Sequence, residues 1–355
     1  MTKTLPFLFI LLIACSPQQG EKQSFGTSSI QHATGFHIET RTDGRYLVVD
    51  KPWPNANVTK SYKLTKPFTR VVCTSTSHLP YFEMLGKSEA VVGFPNLKYI
   101  SSETFVELGK IDKITDLGAD GNMNLELLIG LQPDAVIAFD MGGESATLDK
   151  IAEAGIPVIY NADFLESTPL GRAEWIKFFG ALLNEEKKAD SIFNSIQSAY
   201  DRLTDMTADV RKRPTVLTGV VYGDTWFMPG GRNSAALFYE HAGADYLWAD
   251  DSTSGWLELN YEAVFERAQQ ADFWIGTASF DSKKALAAGD HRYQDFAPFR
   301  ADKVYNYTKK KGPNGGYDYF ESAYARPDLV LADLIKILHP DLLPHYQTVY
   351  YEQLR

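Results

Sequence analysis

The sequence predicts an α/β protein of two Rossmann-like lobes, each a mostly parallel sheet flanked by helices, joined by one long connecting helix. Two observations carry this reading. The first is a degenerate internal repeat: Asn124-Leu125-Glu126 runs into Pro133-Asp134-Ala135-Val136-Ile137, and Asn260-Tyr261-Glu262 runs into Ala271-Asp272-Phe273-Trp274-Ile275. In each copy a short helix with a glutamate in its first turn leads to an aspartate and a compact apolar run, the pattern of a buried strand. The second is a single long amphipathic pattern lying between the copies.

The repeat extends upstream. Arg70-Val71-Val72-Cys73 is followed by a polar loop and a helix ending near Leu85-Gly86; Thr215-Val216-Leu217-Thr218 is followed by a loop and a helix ending near Ala242-Gly243. Self-similarity over roughly a hundred residues indicates a duplicated domain, since solenoid units run to about 20–50 residues. Two lobes imply a cleft, and clefts between domains are favoured ligand sites.

At the amino terminus, Lys3 precedes an apolar stretch over residues 5–13 and then Leu12-Ile13-Ala14-Cys15. The run is too short to span a bilayer, which needs about 20 apolar residues, and has the character of a secretory signal. A cysteine directly after Leu-x-Ala resembles the bacterial lipoprotein processing site. Residues 1–15 are therefore expected to be a signal ending at a lipidated Cys15, which places the protein in the periplasm or cell envelope, anchored by lipid to a bacterial membrane. Residues 16–34, rich in Ser, Gln, Gly and Thr, read as a flexible tether. Residues 35–67 alternate as in Tyr46-Leu47-Val48-Val49 and read as a small β extension on the first lobe, which occupies residues 68–168.

Residues 169–213 read as a helical connection. Its longest helix starts after Asn184-Glu185-Glu186, with apolar positions at Ala189, Ile192, Phe193, Ile196, Ala199, Leu203, Met206 and Val210, and ends before Arg213-Pro214. Steps of three and four keep these positions on one stripe, and a residue before proline leaves helical geometry. Residues 214–355 form the second lobe.

Composition excludes several classes. With 355 residues, 44% hydrophobic and 23% charged, the chain is long enough for two cores, and its formal net charge of −10 argues against nucleic acid as a partner. Cys73 is the one cysteine besides Cys15, so no internal disulfide forms once Cys15 is lipidated; in its apolar strand Cys73 is expected to be buried and inert.

Ligand contacts are expected from loops after strand ends. The first lobe offers Thr74, Ser75, Thr76, Ser77 and His78, then Asp140-Met141-Gly142-Gly143; hydroxyls before a helix also serve as caps. The second offers residues 222–233, where Tyr222, Trp226 and Phe227 sit among glycines and a proline and Arg232 precedes a helix. Aromatic faces suit a large conjugated ligand and a guanidinium suits oxyanions, although a helix-edge arginine also fits a surface ion pair. Trp256 is a further wall candidate. A third loop, residues 309–321, carries Lys309-Lys310-Lys311, several glycines, and Tyr317 and Tyr319. Its lysines suit attraction of an anionic ligand, or simply solvation.

From about residue 68 to 345 the chain resembles class III substrate-binding proteins of ABC importers, the group that captures ferric siderophores, haem and cobalamin. The resemblance rests on the lipoprotein start, the Arg-Val-Val strand, Asn-Leu-Glu followed by Leu131-Gln132-Pro133-Asp134-Ala-Val-Ile, the single connecting helix and the second Glu-containing repeat. It implies that Glu126 and Glu262 dock onto arginines of a membrane permease served by ATPase subunits, as a two-point electrostatic clamp. The plain alternative is a first-turn glutamate that only favours its helix dipole. It further implies a monomer that captures a metal chelate in the inter-lobe cleft, holds no resident cofactor or metal and touches the membrane through its lipid alone; the continuous pattern of the connecting helix adds the expectation that domain motion is small. A ferric siderophore would use Arg232, the lysines, Trp226 and Phe227; cobalamin would use the same aromatics, and haem would add an axial Tyr317 or Tyr319.

An enzyme is the competing class. The chain has no G-x-S-x-G elbow, Walker A loop, G-x-G-x-x-G or H-E-x-x-H motif, and its seven histidines lack metal-ligand spacing. A hydrolase built from dispersed residues and a non-transport surface lipoprotein stay as alternatives; the expected function is binding.

Overall fold

A computed structural model describes residues 29–119, 122–142 and 145–355. Cys15 and its leader lie outside the described residues, as do residues 16–28 of the tether and Gly143 of the first-lobe loop.

Among the described residues the first sheet is three-stranded and antiparallel, β1 (Phe36–Arg41), β2 (Gly44–Val49) and β3 (Lys60–Lys63). The first lobe follows with β4 (Val71–Cys73), β5 (Val91–Phe94), β6 (Thr115–Asp116), β7 (Ala135–Ala138) and β8 (Val158–Tyr160), all parallel in the order β6-β5-β4-β7-β8. Every residue of β4, β5 and β7 is buried, because helices cover both faces; that is why these strands read as apolar runs rather than alternating ones.

The second lobe repeats this plan with two additions. Its strands are β9 (Thr215–Leu217), β10 (Val220–Tyr222), β11 (Thr225–Pro229), β12 (Asp245–Tyr246), β13 (Trp256–Leu259), β14 (Phe273–Ile275), β15 (Val304–Asn306) and β16 (Glu352–Gln353). The main sheet runs β12-β9-β14-β15-β16, parallel except for β16, while β10, β11 and β13 form a separate antiparallel sheet.

The duplication extends to single side chains. Asn124 caps the helix Leu125–Gly130 by accepting from Leu127 N at 3.1 Å, and Asn260 caps Tyr261–Ala268 by accepting from Ala263 N at 2.8 Å. Before each second strand, Asp134 accepts from the Thr69 and Arg70 amides and Asp272 from the Thr215 amide, which sets the start of β4 against β7 and of β9 against β14.

Between the lobes lie helices Pro169–Glu174, Ile176–Leu183 and the 22-residue Glu186–Thr207. Ala189, Phe193 and Ile196 face inward as their spacing requires. The helix ends earlier than the proline signal implied: Val210 lies beyond it and Met206 is 40% exposed. Thr207 Oγ1 donates to the His241 carbonyl at 2.6 Å, which ties the helix end to the second lobe.

The expected tether is pinned over its last described residues. Buried Glu174 accepts from the amides of Gln31, His32 and Ala33 and from Lys177 Nζ, and Glu166 accepts from those of Thr34 and Gly35. A polar composition predicts disorder only where no carboxylate waits to satisfy the backbone donors.

Candidate functional site

A cavity of about 530 Å³ opens between the second lobe and the connecting helix Pro169–Glu174, which contributes Pro169 and Arg172. Its floor is the carboxyl ends of β9 and β14, where Thr218, Gly219 and Gly276 follow the strands, the usual ligand position on a parallel sheet. Gly219 has φ +81°, and a Cβ there would sit 2.0 Å from the Phe227 carbonyl oxygen, so only glycine allows β11 to approach the floor.

The sheet β10-β11-β13 forms the rim. Tyr222 and Thr225 pair across the two-residue turn Gly223-Asp224, with Gly223 at φ +63°. Side chains then alternate along β11, so Trp226 and Met228 point into the core while Phe227 faces the cavity. Tyr222 and Trp256 complete the rim, 82% and 66% exposed.

Tyrosines make the far wall. Tyr307 and Tyr319 stack at 4.6 Å and 15°, and Tyr351 OH donates to Tyr319 OH at 3.4 Å. Tyr351 is placed by buried Asp333, which accepts from the Tyr350 and Tyr351 amides. Tyr239 OH donates to the Ile275 carbonyl at 3.2 Å. Burial pushes the phenol of Tyr239 up to about 12 and those of Tyr307, Tyr319 and Tyr351 higher still, so all four are uncharged at neutral pH.

Among the described residues, Arg172 is the one charged side chain lining the cavity. Its guanidinium lies 4.1 Å from the centre of the Tyr324 ring, and Nε and Nη2 donate to the carbonyls of Asp163 and Phe164 at 3.2 and 3.3 Å. Behind it, burial pushes the Asp163 carboxyl up to about 6 against the opposing pull of Arg172.

The structure separates the residues singled out from the sequence. Tyr222, Phe227, Trp256 and Tyr319 line the cavity together. Trp226 does not: it is fully buried, packed on Trp274, Tyr293 and Phe296 with ring centres 5.6 Å away, and its indole donates to the Thr218 carbonyl. The stretch expected to be a loop is a strand, and period-two alternation turns Trp226 away from any ligand. Arg232 is exposed ahead of its helix and off the cavity, because β11 ends at Pro229 and the chain turns outward.

Among the described residues, none of the first lobe lines the cavity, whose lining begins at Pro169. Ser77 is buried in a cap, its Oγ 2.9 Å from that of Ser75, and Met141 is 67% exposed. His78 is wholly buried with its ring 6.0 Å from Phe179; desolvation pushes it down to about 3, so it is neutral. The inert reading of Cys73 agrees with its full burial, which pushes its thiol well up.

The lysine loop is otherwise engaged. Lys309 reaches Thr348, Lys310 pairs with Asp318 at 3.0 Å and Lys311 with Asp281 at 3.7 Å. Tyr317 bridges back to Lys311, outside the cavity. Gly312 presses on Ser101 of the first lobe, where a Cβ would sit 2.3 Å from the Ser101 Cα. Glu126 and Glu262 are both exposed on the first turns of the repeated helices, with Glu262 3.9 Å from Arg292. Arg172, Tyr239, Tyr307, Tyr324 and Tyr351 carried no local motif; the crowding of aromatics over residues 317–324 was the one sequence signal toward them.

The chain is similar to the uncharacterized lipoprotein MJ0878 of Methanocaldococcus jannaschii, 25% identical over 312 residues that cover 84% of this chain and 72% of the relative. Its fold is similar to that of a possible iron-binding, periplasmic solute-binding protein from Staphylococcus epidermidis, with TM-score 0.60 and 20% identity over 77% of this chain and 100% of that one. It is also similar to MolA, the molybdate periplasmic binding protein cognate to an ABC transporter of Haemophilus influenzae, with TM-score 0.60 and 18% identity over 81% of this chain and 91% of that one. Among the described residues no helix is long and apolar enough to cross a membrane. Residues 71–310 match the sequence profile of a solute-binding family that works outside the cytoplasm, and this chain belongs to it, the Periplasmic binding protein family.

Proposed function

We propose that the chain is the cargo-capturing lipoprotein of an ABC importer, anchored through Cys15, and that its cargo is a ferric siderophore of low net charge. The observation that carries this reading is the cavity: about 530 Å³, walled by aromatic side chains, with Arg172 as its one cation among the described residues. That volume lies in the usual range for small-molecule sites, about 300–1,000 Å³. Phe227, Tyr222, Trp256 and Tyr319 offer apolar and aromatic contact to the organic shell of a chelate, and buried neutral phenols offer donors to its oxygens. A single guanidinium balances one negative charge, so a neutral or singly anionic chelate suits the site and a trianionic one does not. The iron is cargo inside its chelator, and the protein supplies no ligand to it.

In the same reading Glu126 and Glu262 dock the loaded monomer onto a permease served by ATPase subunits. Their support is positional: equivalent exposed carboxylates, each set by an asparagine cap on one copy of a duplicated fold. Glu126→Ala with Glu262→Ala should leave cargo affinity intact and abolish uptake; normal uptake by the double variant rules docking out.

Calorimetric titration with neutral and anionic ferric siderophores, cobalamin and haem tests the cargo. Tight one-to-one binding of a low-charge ferric chelate is the expected result. Preference for cobalamin or haem would move the cargo to those classes, and binding of none would remove the receptor reading.

A further inference from the structure

The short helical turn Tyr319–Ser322 belongs to two places at once. Tyr319 and Phe320 line the cavity, as do Ala323 and Tyr324 just beyond it. Between them Glu321 points the other way, across to the first lobe, and is 2% exposed. Its Oε2 accepts from Ser101 N at 2.7 Å and its Oε1 from Ser102 N at 2.9 Å, a two-pronged grip on the start of the helix Glu103–Lys110. Both amides at the start of that helix are thereby satisfied inside the contact.

The grip is reinforced from both sides. Ser102 Oγ donates to Glu83 at 2.8 Å, which ties the same backbone to the first-lobe helix Leu79–Leu85. On the second lobe the glycine loop folds on itself, Gly312 N donating to the Gly316 carbonyl at 2.8 Å, and lies against Ser101 closely enough that only hydrogen fits at Gly312. Asp318, at the start of the turn, is held by Lys310. Burial, with the carboxylates of Asp318 and Glu83 nearby, pushes Glu321 up to about 7, as expected for a carboxyl enclosed at a contact between lobes.

We propose that Glu321 is an inter-lobe latch that gates the cavity: gripping Ser101 and Ser102 holds the Tyr319–Ser322 turn in place as a wall, and releasing the grip lets that wall move to exchange cargo. The gating half rests on the cavity being the cargo site. The physical reason is that one short turn cannot shift its cavity face while its opposite side chain keeps two backbone bonds to another lobe. Lobe contact and cargo exchange are thereby the same event seen from two faces.

Hydrogen exchange on the full chain tests the latch without any cargo. Glu321→Gln keeps one acceptor and turns an amide N–H toward the other donor, so exchange at the Ser101 and Ser102 amides should quicken at least tenfold, and exchange over residues 319–324 should quicken with it. Release of the dye 8-anilinonaphthalene-1-sulfonate, an aromatic monoanion matched to the lining, should quicken by a similar factor in stopped flow. Gly312→Ala, which wedges a methyl against Ser101, should reproduce these effects and serves as the second variant should Glu321→Gln fail to fold. Faster exchange at residues 101–102 alone, with 319–324 and dye release unchanged, overturns the proposal. Quickened exchange in both segments of a protein that binds neither dye nor any ferric chelate keeps the latch and refutes the cargo reading.

Discussion

Replacing Arg172 is the sharpest test of the cargo proposed for the cavity. The guanidinium is oriented before any ligand arrives, by the Tyr324 ring at 4.1 Å and the carbonyls of Asp163 and Phe164. A ligand anion therefore meets a donor that loses little further freedom on binding. A hydrogen bond to a charged group contributes about 1.5–3 kcal/mol, so Arg172→Ala should weaken binding of a singly anionic ferric chelate by about 10- to 150-fold. A neutral chelate of the same size should lose less than about 3-fold, since it gains only contact area there. Arg172→Lys keeps the charge but not the planar fork that the two carbonyls hold, and should fall between. The assay is calorimetric titration of both chelates against the three proteins, each first shown folded by circular dichroism. Equal loss for the neutral and anionic chelates would refute the reasoning, because it would make Arg172 a brace for the 163–164 turn rather than a selector of charge.

Three other expectations concern the frame around the site. Trp226→Ala should cost about 3–5 kcal/mol of stability in urea unfolding, as for other buried large aromatics, because the ring is packed among Trp274, Tyr293 and Phe296; a loss under about 1 kcal/mol would contradict its core role. Glu174→Ala removes the nearer of two carboxylates beside Lys177, which keeps Asp190 at 3.6 Å, and takes the acceptor from the Gln31, His32 and Ala33 amides; it should cost about 1–3 kcal/mol while opening residues 29–35 to proteolysis, and an unchanged digestion pattern would show that other contacts hold the segment. Glu321 sets a pH dependence. Its folded-state value, about 7, lies above the ordinary 4.5, so its contribution is complete below about 4.5 and lost as pH rises through about 7. The stability of the wild type relative to Glu321→Gln should accordingly fall between pH 5 and 8, and a difference that stays flat or rises would reverse the assignment. The groups facing it are Asp318, with Lys310 attached, and Glu83.

Much of the frame was legible because it is local. Buried parallel strands must be apolar along their whole length, so Val71-Val72-Cys73 and Ala135-Val136-Ile137 announced themselves, and the repeat told that the plan occurs twice. The asparagine caps and the strand-initiating Asp134 and Asp272 were visible as residues, though not as the matched hydrogen bonds they make. The strand Thr225–Pro229 was hidden by its surroundings. Tyr222-Gly223-Asp224-Thr225 holds a two-residue hairpin turn, and reading it as such would have set the alternation that buries Trp226 and turns Phe227 to the cavity. The residues at 309–311 show the opposite failure: their charges were plain, but whether each finds a partner depends on Thr348, Asp318 and Asp281, of which two are far away in sequence.

By itself the sequence determined the two-lobed α/β plan, the long helix between the lobes and the paired glutamates on equivalent turns. Each follows from side-chain periodicity and short-range hydrogen bonding, which act over a few residues. Tertiary structure alone decided that the cavity lies between the second lobe and the helix Pro169–Glu174, that Arg172 is the cation among its described lining residues, and that Glu321 spans to Ser101 and Ser102 over 220 and 219 positions of chain. Such contacts leave no periodic trace, because they arise where packed elements happen to meet, and burial then decides which charges are held, which are neutralised and which face a ligand.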